Sequence, residues 1–138
     1  MALSFLVDTS VLKRLGHPAV RTVVEPLAAA GNVGRPRICD LEVGYSARTG
    51  GEWDLLLAAL DAFTVVDTTA AHVRRALQVQ RMLAHRSQRG RKIPDLLVAA
   101  AAAEALDVDV LHYERDFDLI AAVTGQRCTW VVPAGNVE

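Results

Sequence analysis

Five short apolar, β-prone runs recur along the 138-residue chain, at 3–7, 33–38, 63–66, 108–112 and 128–132, and helix-like stretches separate each from the next. Strands that run parallel cannot be joined by a tight turn; each needs a crossover of about a dozen residues, which a helix supplies. The helical stretches begin at Thr9 or Ser10, at Pro18 (to Ala30, with Pro26 set to kink it and Gly31 to stop it), near Leu41 (to Arg48, before Gly50-Gly51), at Trp53 (to Ala62), at Thr69 (to His85), at Pro94 (to about Leu106) and around Asp118 to Val123. The pattern predicts an α/β fold, an α/β/α sandwich with a parallel sheet of about five short strands, and one domain over residues 1–138.

Composition narrows the class. With 51% hydrophobic and 22% charged residues, the chain has enough apolar surface to offset its conformational entropy, which excludes intrinsic disorder. The longest unbroken apolar run, 96–103, is eight residues, against the roughly 20 needed to span a bilayer. The N-terminus lacks the basic start and cleavage site of a secretory signal, so a cytoplasmic protein with no membrane role is expected. Cys39 and Cys128 are read as reduced core thiols. The net charge is −1, yet 68–94 holds no acidic residue and carries seven of the fifteen cations, Arg74, Arg75, Arg81, Arg86, Arg89, Arg91 and Lys92. That segment produces a local positive field suited to a polyanion, or forms a solvated helix face and loop.

Five carboxylates fall where such a sheet would gather them. Asp8 closes the first strand, and Glu114 and Asp116 follow the fourth, at the carboxyl edge where open α/β sheets bind ligands. Asp95 stands in a helix's first turn, and Glu42 is expected early in the helix after the second strand. Singly, each has a plain structural role as a cap or an exposed polar residue. Jointly they would repel unless a proton or a cation sat among them. An all-oxygen donor set points to Mg²⁺, with Mn²⁺ as a substitute. His17, His72, His85 and His112 show no metal-binding spacing, and neither a phosphate-binding loop, a dinucleotide fingerprint nor a nucleophile elbow is present.

Val7-Asp8-Thr9-Ser10, Glu42-Val43-Gly44-Tyr45-Ser46-Ala47-Arg48, Ile93-Pro94-Asp95 and Leu111-His112-Tyr113-Glu114-Arg115-Asp116-Phe117 resemble, in that order, the successive motifs of PIN-domain ribonucleases, and in particular the VapC toxins of bacterial toxin–antitoxin pairs. The resemblance covers essentially the whole chain. It implies a PIN-like fold, a Mg²⁺-dependent endoribonuclease acting on a structured RNA such as a tRNA or an rRNA loop, a homodimer, and inhibition by a VapB-type antitoxin. By the same resemblance Asp8 and Asp95 bind the metal, Glu42 is the helix glutamate and Asp116 an acid of the fourth motif. Glu114 stands where the family commonly has aspartate, so it or Asp116 completes the metal shell. Arg86, Arg89, Arg91 and Lys92 would hold RNA phosphates beside the acids. The alternative is a catalytically idle PIN-like module that binds RNA or protein. A haloacid-dehalogenase-type phosphatase ranks below both, because Ser10 stands where that chemistry wants a second aspartate.

Overall fold

In the computed structural model, residues 3–88 and 92–138 are described. The strands are β1 (Phe5–Val7), β2 (Val33–Pro36), β3 (Thr64–Val66), β4 (Asp109–His112) and β5 (Cys128–Trp130). They form one parallel sheet in the order β3-β2-β1-β4-β5. Strands covered on both faces should be apolar throughout rather than alternating, and Leu6, Val7, Val33, Val110 and Leu111 are all buried. Gly34 is required by close approach: a Cβ there would lie 2.7 Å from Leu3 and 2.8 Å from Leu6.

The order positions the site. From β1 the chain moves to β2 and β3 on one side, then returns to place β4 and β5 on the other. Helices flanking the β1–β4 boundary therefore lead away in opposite senses and leave a crevice at its carboxyl edge.

Helices α1 (Thr9–Leu12), α2 (Pro18–Ala29), α3 (Arg37–Tyr45), α4 (Gly50–Ala58) and α5 (Ala70–His85) come next in chain order. Pro26 is accommodated inside α2, and Gly31, at φ 75°, makes the left-handed turn that follows. Several boundaries differ from the sequence reading, Asp116 opening the last helix two residues before the expected start among them, and two are set by helix caps. The second strand stops at Pro36, which lacks the N–H a ladder needs and instead takes φ −62° and ψ 140° as the N-cap of α3, so this helix spans Arg37–Tyr45 and not 41–48. Glu42 is consequently in mid-helix and gains nothing from a helix N-terminus. Gly50 and Gly51 open α4 rather than merely ending α3, because the Thr49 hydroxyl caps it by accepting from Glu52 N at 3.0 Å.

The apolar segment after Pro94 is continuous: α6 (Ile93–Asp95), a π-wound stretch (Leu96–Ala103) and α7 (Glu104–Leu106) run end to end. Asp107, at φ 55°, then turns the chain into β4. With α8 (Asp116–Thr124), this segment packs against α5, whose His72, Ala76, Val79 and Leu83 are buried at helical spacing. On the other flank, a buried ion pair fixes the start of α3: Arg35 Nε lies 3.2 Å from Asp40 Oδ1, and Arg37 lies 3.2 Å from Asp40 Oδ2. Among the described residues no helix is long and apolar enough to cross a membrane.

Candidate active site

Asp8 leaves the end of β1, where its backbone N–H donates to Leu111 of β4, and becomes the N-cap of α1. Its Oδ2 accepts from Ser10 N at 2.9 Å. The capping role is thus real, but it uses one oxygen only: Oδ1 is buried without a hydrogen-bond partner. Asp95, at the end of α6, repeats the situation, since its Oδ2 is also buried and unpartnered. Both carboxylates are almost wholly enclosed, at 2% and 4% exposure. Leaving an acceptor in that state costs free energy unless something outside the chain satisfies it.

The two acids line one cleft of about 210 Å³ with Thr9, Ser10, Lys13, Arg14, Glu42, Lys92 and Glu114. Thr9 Oγ1 donates to Glu42 Oε1 at 2.7 Å, which fixes the glutamate from α1. Ser10 Oγ accepts from Tyr113 N at 2.8 Å and ties α1 to the loop after β4. In that loop the Glu114 carboxylate accepts from Lys92 Nζ at 3.0 Å. Asp116, first residue of α8, is close enough for its charge to act on both Asp95 and Lys92.

Electrostatics follow from this crowding. Burial, then the negative charges of Asp8, Asp116 and Glu114, push the Asp95 pKa up to about 8, with Lys92 opposing. Burial also raises Asp8, reinforced by Glu42 and opposed by the Ser10 hydrogen bonds. One carboxylate oxygen each of Asp8 and Glu42 lies within 4.8 Å of the other and of the Cys39 sulfur. Burial holds Cys39 in the thiol form, and its S–H points to Val7 O at 3.7 Å, so the anionic donors here are carboxylates. Orphaned oxygens on Asp8 and Asp95, in a crevice that Glu42 and Glu114 also line, are a donor set that fits a hard divalent ion, although the side-chain atoms that lie within 4.8 Å of one another are those of Asp8, Glu42 and Cys39 and do not include Asp95.

The structure therefore brings Asp8, Glu42, Asp95 and Glu114 to a common cleft, with Asp116 beside it. Asp8 and Glu42 offer oxygens within 4.8 Å of each other, and the charge of Asp8 also acts on Asp95. Of the basic residues, Lys92 lines the cleft, while Arg86 is exposed at the C-terminal end of α5 and does not. Arg89 and Arg91 lie outside the described residues. Thr9 and Ser10, read from the sequence only as helix caps and motif members, and Lys13 and Arg14 were given no site role by the sequence reading. Helical spacing was the available signal for Lys13, which sits four residues after Thr9 and so shares its face of the turn. His112 is a core residue: its ring lies 4.7 Å from Phe117 and 5.0 Å from Trp130, and burial lowers its pKa to about 4.

Comparison with known proteins identifies the family and the fold. The family model for the PIN domain matches residues 5–123. Over 138 residues and the full length of both chains, the sequence is 64% identical to ribonuclease VapC51 of Mycobacterium tuberculosis. The chain belongs to the VapC ribonucleases of the PIN-domain family. A second relative, ribonuclease VapC18 of the same organism, is 39% identical over 96% of this PIN domain and 98% of its own chain. In three dimensions the domain superposes on VapBC2 of Rickettsia felis bound to a promoter DNA fragment, with a TM-score of 0.77 at 17% identity, covering 93% of this chain and 99% of that one. DNA-bound VapBC of Salmonella typhimurium gives 0.75 at 18% identity over 94% and 99%. At those identities the likeness establishes the fold, and the five-stranded parallel sheet is the PIN sheet.

Proposed function

We propose that this protein is a Mg²⁺-dependent endoribonuclease, the toxin of a type II toxin–antitoxin pair, that cuts a structured RNA such as a tRNA or an rRNA loop and leaves 3′-hydroxyl and 5′-phosphate ends. The observation that carries the reading is the pair of buried, unpartnered oxygens on Asp8 and Asp95, two residues that line one acid-rich cleft, an arrangement that a bound cation relieves. The relatives' naming as ribonucleases supports RNA as substrate. The VapBC complexes among the structural neighbours support a VapB-type antitoxin as partner. We take residues 1–138 to act as one domain, as a homodimer and in the cytoplasm.

Asp8 and Asp95 would hold the ion, with Glu42 and either Glu114 or Asp116 completing its surroundings. When bound, Mg²⁺ would supply charge stabilisation at the scissile phosphate and make a water nucleophilic near neutral pH. The chain's own residues do the rest. Thr9 donates to Glu42 Oε1 and fixes that carboxylate, whose second oxygen would orient a water or a second ion beside the phosphate. The Lys92 ammonium at the rim balances Glu114 and offers a cation to an RNA phosphate. Arg86, exposed at the end of α5, and Arg89 and Arg91, outside the described residues, are proposed as further RNA-phosphate contacts from the sequence alone.

Cleavage of RNA by purified protein in Mg²⁺ against EDTA tests the proposal and separates it from an idle binding module. Asp8→Asn should abolish cleavage while circular dichroism shows the fold retained. Full activity in that variant would overturn the assignment.

A further inference from the structure

The chain has two tyrosines and two tryptophans, large rings with a polar handle: Tyr45, Trp53, Tyr113 and Trp130. Three are engaged within the chain. Trp130 Nε1 donates to Asp118 at 3.1 Å, the Tyr113 hydroxyl donates to Val137 O at 2.6 Å and accepts from Gly135 N, and the Trp53 indole lies against Gly44, where a Cβ would come within 2.5 Å of its Nε1. Tyr45 has no hydrogen bond among the described residues and is 92% exposed, the most exposed large apolar side chain among them.

Its place is specific. Tyr45 is one helical turn beyond Glu42 on α3, and with Leu41, Lys13 and Glu42 it lines a groove of about 300 Å³. Lys13 and Glu42 also line the acid cleft, so the groove is that cleft's lateral continuation. It pairs a flat apolar surface, Leu41 and Tyr45, with one ammonium, Lys13. An unpaired nucleic-acid strand carries the complementary pattern of flat bases alternating with anionic phosphates.

We propose that Tyr45 is a stacking platform for an unpaired RNA base beside the scissile phosphate, with Lys13 holding the phosphate between the two. The inference rests on the ribonuclease reading and extends it by assigning a base-binding subsite. Leu41 and Tyr45 also border an apolar groove with Trp53 and Leu57 toward α4; the Lys13 ammonium and the opening into the acid cleft favour a polyanion on this side, and a peptide occupant is an outcome of the test.

The test uses the purified full chain, a set of short unpaired fluorescent oligoribonucleotides that each lack one base, and the variants Tyr45→Ala, Tyr45→Phe and Tyr45→Trp. Tyr45 is on the surface, so these variants should fold. Tyr45→Ala should lower kcat/KM about tenfold to a hundredfold, the range expected for losing one base–aromatic stack. Phe and Trp should stay near wild type. Removing the base at one position should reproduce that loss in the wild type and cost nothing further in Tyr45→Ala. Equal cleavage by Tyr45→Ala and wild type, or losses that multiply at every position, would overturn the subsite. So would a Tyr45→Ala variant that cleaves normally but no longer binds its antitoxin, because the face would then belong to a protein. Fluorescence anisotropy with the same oligonucleotides keeps the two readings apart: Tyr45-dependent, base-dependent binding without Mg²⁺-dependent cleavage would uphold stacking and sink the nuclease.

Discussion

The Asp95 carboxyl makes the metal-free protein sensitive to pH in a calculable way. Its pKa rises from 3.8 in the unfolded chain to about 8 in the fold, so between those values the folded protein keeps a proton that the unfolded chain has lost. Unfolding then releases a proton, and raising the pH favours it. One such proton costs about 1.4 kcal/mol of stability per pH unit. His112 works in the opposite sense. Lowered from 6.5 to about 4, it is neutral in the fold and protonated when unfolded, so stability rises with pH across that interval. The two effects oppose one another up to pH 6.5; above it His112 drops out, and comparison with Asp95→Asn separates the Asp95 effect from that of Asp8, whose carboxyl pKa burial also raises. From pH 6.5 to 8 the wild type in EDTA should lose about 2 kcal/mol relative to Asp95→Asn, which has no such proton. Urea unfolding at a series of pH values, both proteins in EDTA, measures this directly. Saturating Mg²⁺ should abolish the wild-type slope, because an ion in the cleft holds the carboxylates ionised and its binding displaces the proton. Parallel wild-type and Asp95→Asn profiles between pH 6.5 and 8 would mean that Asp95 is ionised in the apo fold, and the argument for a shared cation centre would fail.

Two further outcomes follow from contacts outside the acids themselves. Thr9→Val keeps shape at a buried position but removes the 2.7 Å bond to Glu42, and should reduce cleavage about tenfold to a hundredfold, as loss of a ligand-orienting partner does; wild-type rates in that variant would show that Glu42 needs no such support. Asp40→Ala leaves the Arg35 guanidinium, whose side chain is 8% exposed, with only the exposed Asp61 carboxylate, at 4.0 Å, among the described residues, and should cost about 3 kcal/mol in urea unfolding. A loss below about 1 kcal/mol would mean that the Arg35 charge finds water on its own.

How much of this was legible beforehand divides along physical lines. The strand cores around Leu6, Val33, Val65, Val110 and Thr129 and the helices at Pro18 and Thr69 depend on local pattern, turn residues and caps, all of which act within a few residues. The departures came where two local signals competed. Pro36 could end a strand or cap a helix, and the pairing of Gly34, Arg35 and Pro36 with β3, together with the Arg35–Asp40 ion pair, decided that α3 starts there. That moved Glu42 from a first turn to mid-helix without removing it from the site.

The candidate acids were visible because aspartate and glutamate at strand ends and helix starts are conspicuous along the chain, and their order alone was enough to suggest one family. What they do together was not visible. Parallel strands buried on both faces look alike in sequence, so nothing local says that β1 lies between β2 and β4, yet this placement makes Asp8, Glu42, Asp95 and Glu114 share a crevice. Nor do residue types announce that Thr9 would grip Glu42, or that Asp95 would hold its proton to about pH 8. Those properties arise from burial and from charges dozens of residues apart along the chain. Desolvation and Coulomb repulsion act through space, so only the folded chain sets their strength.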